Sequence, residues 1–132
     1  MIQRERQWQP VRFGDEVPPP AGAYSPAVRA GGFVFVSGQV PRDPVTGALV
    51  GDDVESQTRQ VIANVQRVLE AAGASLSDVV SIVAYLADIG DWGRFNAVYK
   101  ELMPQPYPTR TALGANLHGF MVEISAVAFV GG

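Results

Sequence analysis

The 132-residue chain contains no cysteine and a single histidine, His118. Without thiols there is neither a disulfide framework nor a cysteine nucleophile, and with a single histidine there is no zinc site and no Ser/His triad worth proposing. Charge is also scarce: 17% of residues are Asp, Glu, Lys or Arg, against about 25% in an ordinary globular chain. The ten basic residues are scattered and the formal net charge is −3, so the electrostatic footprint of a nucleic-acid or anionic-membrane binder is missing. No apolar run approaches the roughly 18 residues of a membrane span. The opening MIQRERQWQP has no apolar signal-peptide core, and a cytoplasmic location is expected. A surface so poor in charge is expected to be partly covered by a partner.

What is present reads as one domain, residues 23–132, preceded by an arm, residues 1–22, whose VPPPAG end cannot join a helix interior or a central strand. A short first strand over QPVRF is possible within the arm. Residues 24–38, YSPAVRAGGFVFVSG, predict a hairpin turning at Gly31-Gly32. From Asp53 the apolar period becomes helical, through Val54, Val61, Ile62, Val65, Val68 and Leu69, with Asp53 as N-cap and Gly73 beyond the C-terminus. Ser75 and Asp78 predict a capped turn, residues 79–87 a buried β-branched strand, and DWGRFNAVYKELM a second helix stopped by PQPYP. Two strands, near 109–115 and 121–130, complete a ββ(β)αβαββ order. The class is α+β, with two helices on one face of a sheet of about five to six strands.

The strands are apolar on both faces. Val122, Ile124, Ala126 and Ala128 are expected under the helices, while Met121, Glu123, Ser125, Val127 and Phe129 face away; in residues 79–86, Val79 and Val83 are expected to oppose Val80, Ile82, Ala84 and Leu86. Phe33 and Phe35 likewise oppose Val34 and Val36. A monomer would leave the second apolar face in water, so a homo-oligomer packed through that face is expected.

Among residues able to carry chemistry, Arg110 stands alone between a proline turn and a strand. Its planar fork could clamp a carboxylate or phosphate, or close a subunit salt bridge with an acid such as Glu123. Tyr24 suits a loop anchor or a site wall, and Ser37-Gly38 supplies turn amides that also suit an anion. Asn96 reads as a surface polar group or a loop cap, and His118, beside a glycine, as solvated. Glu123 and Ser125 share a strand face and form a polar pair in an apolar setting, which invites a cation or a ligand.

The stretches GAYSPAV, FVFVSGQVPRDPVTGALV, the helical segment through GDWGRFNAVY, YPTRTALGA and VEISAVA resemble the Rid family, also called YjgF-like or reactive intermediate deaminase proteins, from about Ala23 to Val130. The resemblance implies a chorismate-mutase-like fold, a homotrimer with clefts between subunits, and hydrolysis of 2-imino or 2-enamino acids without metal or organic cofactor. It also implies roles. Arg110 of Pro108-Thr109-Arg110 would clamp the substrate carboxylate, and Tyr24, Ser37, Gly38, Gln39 and Asn96 would line the cleft. Ala112, where the family often has cysteine, would contribute backbone groups. The resemblance further implies a water-positioning acid at the second glutamate of an E-I-E stretch; here Glu123-Ile124-Ser125 keeps the first acid and carries serine at the second. The alternatives are a non-catalytic carboxylate-binding sensor and, against the acidic balance and the absence of a histidine pair, an endoribonuclease.

Overall fold

The computed structural model describes residues 4–131. Six strands and two α-helices follow the order β1 (Trp8–Pro10), β2 (Ala27–Ala30), β3 (Phe33–Gln39), α1 (Val54–Ala71), β4 (Val79–Leu86), α2 (Trp92–Leu102), β5 (Thr109–Gly114) and β6 (Val122–Phe129). They form one sheet in the order β1-β2-β3-β6-β4-β5. Only β4 and β5 run parallel, joined through α2; the other neighbours are antiparallel. This is the expected α+β architecture. No helix among the described residues is long and apolar enough to cross a membrane.

Local chemistry explains the elements. Asp53 caps α1, its Oδ1 accepting from the Ser56 amide at 2.7 Å, and Gly73 leaves the helix at φ +83°, where a Cβ would be strained. The Arg29 guanidinium donates to the Ala72 carbonyl, setting a cation at the negative end of α1. Ser75 and Asp78 form the expected capped turn around a one-turn 3₁₀ helix at Leu76–Asp78, the Asp78 carboxylate accepting from the Ser75 amide at 2.9 Å. The β2–β3 hairpin turns on Gly31, at φ +57°.

Both helices lie on one face, over Val34, Val36, Ile82, Ala84, Leu86, Val122, Ile124, Ala126 and Ala128, all buried. One parity expectation fails. Val79, not Val80, joins this core: Val79 pairs with Ala128 and Ser81 with Val127, a register shift that inserts one residue and leaves Val80 42% exposed. Such a bulge breaks strict alternation, and the apolar run VVSIV conceals it. The arm also contributes more than its proline content suggests. Trp8–Pro10, rather than the whole QPVRF stretch, pairs with β2, and Val17 is buried against the core.

Phe95 is fully buried where α2 meets the sheet. Phe95→Ala is expected to cost about 3–5 kcal/mol, as for a large aromatic deleted from a packed core. Urea unfolding should show this as a lower midpoint.

Candidate functional site

The helix α2 presents Trp92, Phe95, Asn96 and Tyr99 at i, i+3, i+4 and i+7, a single face turned toward β5. Arg110 rises from β5 into that face. Its guanidinium carbon lies 4.6 Å from the Tyr99 ring centroid, 5.4 Å from Trp92 and 5.7 Å from Phe95, within cation–π range. Its Nη1 donates to Asn96 Oδ1 at 2.8 Å. Asn96 is thus neither a solvated surface group nor a loop cap but the residue that fixes the fork.

Among the described residues no carboxylate lies within 4.0 Å of that guanidinium, although Arg59 and Arg94 pair with Glu101 and Glu55 at 2.6 and 2.7 Å. The stacked, neutral surroundings orient the fork without satisfying its charge, and a guanidinium carries five donors. A cavity of about 320 Å³ opens beside it, walled by Asn96, Tyr99, Lys100, Tyr107, Pro108 and Arg110. Two cations and no acid line it. The Tyr99 hydroxyl is buried without a hydrogen-bond partner, and burial pushes its pKa up, with Arg110 partly opposing. A cavity with this charge and with free, oriented donors suits a small carboxylate.

The remaining predicted residues form a second group. Ser37 lies at the end of β3, its Oγ donating to the Ser25 carbonyl at 2.7 Å and its own carbonyl accepting from Gln39 Nε2 at 3.1 Å. These bonds tie the Tyr24–Ser25 segment to the turn. Glu123 lies across from it on β6: a Cβ built on Gly38 would fall 2.2 Å from Glu123 Oε2. Gly38 therefore leaves the room that the carboxylate occupies. Glu123 is partly buried, and burial raises its pKa while the nearby exposed His118 opposes the shift. Ser125 is two residues further along the same face, opposite Val83.

These two groups do not meet within one chain. Arg110 and Ala112 pair with Ile82 and Ala84 on the helix-covered face, whereas Glu123 and Ser125 pair with Tyr85 and Val83 on the open one. The salt bridge considered between Arg110 and Glu123 is not made within the protomer. Taken singly, Trp92, Lys100 and Tyr107 carry no local signal of a site, and the helical spacing of Tyr99 is that of a core residue. The helical spacing from Trp92 to Tyr99, including Asn96, was the available signal.

Gly38→Ala tests the packing at Glu123. The obstructing atoms are the end of a flexible side chain, at 2.2 Å for Oε2 and 3.0 Å for Cδ, so the carboxylate is expected to swing away. Thermal stability should change little, while any reaction that needs Glu123 should slow sharply; a melting curve beside a rate assay separates the two.

A model of the family described as Endoribonuclease L-PSP matches residues 15–130. The chain belongs to this family, the YjgF/Rid family. Among curated relatives, a RutC family protein of Pyrococcus horikoshii is 42% identical over 121 residues, 90% of this chain and 96% of the relative. Among solved structures, the Rid-family protein YyfA of Yersinia pestis superposes with a TM-score of 0.86 at 31% identity, covering 93% of this chain and 99% of that one. The structure of E. coli TdcF with bound serine matches this Rid-family chain with a TM-score of 0.82 at 31% identity, over 92% and 98% of the two chains.

Proposed function

We propose that this chain is a Rid-type deaminase, hydrolysing 2-imino or 2-enamino acids to the 2-keto acid and ammonia in clefts between the subunits of a homotrimer. The observation that carries the reading is the Arg110 guanidinium, held by Asn96 over three aromatic rings, without an acid partner among the described residues and open to a cavity. The related TdcF with bound serine is a neighbour that holds a small amino acid.

In this mechanism Arg110 and Asn96 fix the substrate carboxylate, and backbone groups near Ala112 and Ser37 orient the C=N carbon. A neighbouring copy supplies the acid that holds water. Water adds to the C=N carbon as one of its protons passes to the base, while the nitrogen takes a proton from solvent to give a carbinolamine; the base then returns its proton to that nitrogen, and the C–N bond breaks as the hydroxyl loses its proton to solvent, leaving the keto acid and ammonia. We assign the water-holding role to Glu123 rather than Ser125. Support for Glu123 comes from its partial burial, its raised pKa and its seat on Gly38 beside the Ser37 turn. A hydroxyl such as Ser125 is a poor base near neutral pH, so serine at that position does not imply a silent enzyme.

The inter-subunit cleft is supported by the open face. Phe33, Phe35, Leu113 and Phe129 are each 39–46% exposed there, with the Phe33 and Phe129 rings 4.9 Å apart. Aromatic residues grouped on one face are a typical docking core. Sedimentation should show a trimer, and Phe35→Glu should shift it toward monomer with loss of turnover. A monomeric wild type would defeat the cleft.

The direct test is ammonia release from imino acids generated in place by an amino-acid oxidase. A protein that binds small carboxylates without accelerating their release would instead be a sensor, the reading that bound serine in a relative keeps open.

A further inference from the structure

A second pocket shares no lining residue with the Arg110 cavity, although its wall reaches Tyr24, Gly38 and Gln39 of the Ser37 turn. It measures about 400 Å³ and lies between the proline arm, the loop after β3 and the flank of α1. That volume is in the range of small-ligand sites, roughly 300–1,000 Å³. Two guanidiniums line it, Arg42 and Arg67. Each has a neutral oxygen as its side-chain hydrogen-bond partner: Arg42 Nη1 donates to the Gly47 carbonyl and Arg67 Nη1 to Asn64 Oδ1, both at 3.1 Å. Asn64 is itself buried, and its Nδ2 donates at 2.9 Å to the carbonyls of Val40 and Arg42. One buried amide therefore positions both the loop and the Arg67 fork.

The acid on the wall, Asp43, has a different task. Its Oδ1 accepts from the Val45 and Thr46 amides at 2.8 and 2.9 Å, and those bonds, with a smaller pull from the Arg67 charge, hold its pKa below the ordinary carboxylate value. It closes the loop turn, and no salt bridge within 4.0 Å joins it to either arginine among the described residues. Val17, Pro18 to Pro20 and Val45 also line it. Prolines give a stiff apolar wall that needs little ordering on binding.

We propose that this pocket binds an amphipathic oxyanion, a carboxylate or phosphate monoester on an aryl or branched-alkyl body, with Arg42 and Arg67 on the charged end and the proline wall on the apolar end. The occupant need not be a substrate, and none of the Arg110 cavity's lining residues is used by it.

The test is a titration of the full chain with phenylacetate and with phenyl phosphate, followed by amide shifts in NMR. Saturable binding is expected, with the largest shifts at Val45, Thr46 and Gly47, and the stronger probe identifies the preferred oxyanion. Arg42→Gln and Arg67→Gln should each weaken it about tenfold or more, as for loss of a charge-assisted bond, whereas Arg110→Ala should leave this site intact. Absence of saturable binding at millimolar probe, or shifts confined to Asn96, Lys100 and Tyr107 that vanish in Arg110→Ala, would overturn the proposal. The wild-type shift map decides even if an arginine variant fails to fold. Imine turnover is read separately, so failure here leaves the deaminase reading untouched.

Discussion

Arg110→Ala is expected to lose the acceleration of imine hydrolysis by about 10- to 150-fold in kcat/KM, the worth of a charge-assisted contact of roughly 1.5–3 kcal/mol. The size follows from how the guanidinium is set up. Asn96 takes one donor at 2.8 Å and the rings of Trp92, Phe95 and Tyr99 fix its plane, so the remaining donors face the cavity with little orientation left to lose on binding. Arg110→Lys should restore only part of the activity, because an ammonium cannot reproduce a planar fork stacked on rings. Stability should fall little by comparison, since the arginine has no ion pair to break among the described residues. Equal rates with imines from several amino acids in wild type and Arg110→Ala would remove the clamp from the mechanism.

Glu123→Gln is expected to reduce kcat by about 10²- to 10⁴-fold, the usual contribution of a general base, while Ser125→Ala should change the rate far less. The pH dependence gives an independent reading. Burial raises the Glu123 pKa above its ordinary 4.5, and the base is the ionised form, so the rate should fall as pH drops through that raised value. Stability runs the other way. A raised carboxyl pKa means that the folded state prefers the proton, so stability is lost as pH climbs from the ordinary value through the raised one. Glu123→Gln should therefore melt higher than wild type at neutral pH and converge with it in acid. A variant that loses rate and also melts lower at neutral pH would mark Glu123 as a structural acid.

The readable parts of this fold were those governed by neighbours in sequence. The Asp53 cap, the helical stripe from Val54 to Leu69, the Ser75/Asp78 box and the exit at Gly73 each depend on residues within a few positions. Val80 departs from the alternation because a bulge is set by the pairing of β4 with β6, which no local pattern in VVSIV reports. The site divided along the same line. Arg110 stood out as a lone cation, but its bond to Asn96 depends on α2 crossing over β5, and its separation from Glu123 depends on β4 lying between β5 and β6. Strand parity is local and legible apart from the bulge at Val80, whereas which strands are neighbours is not. Tyr99 shows the same limit: its spacing matches that of a core residue, and only the packed structure reveals a buried hydroxyl without a partner.

The central claim is that the Arg110 of one copy and the Glu123 of another build one cleft, and subunit mixing tests it most directly. Arg110→Ala and Glu123→Gln chains, each strongly impaired alone, would be co-refolded in equal amounts and assayed for ammonia release. In a ring of heterologous contacts, about one cleft in four then receives a native arginine from one chain and a native glutamate from the next, so about a quarter of wild-type activity should return. Mixed oligomers no more active than either parent would contradict the account.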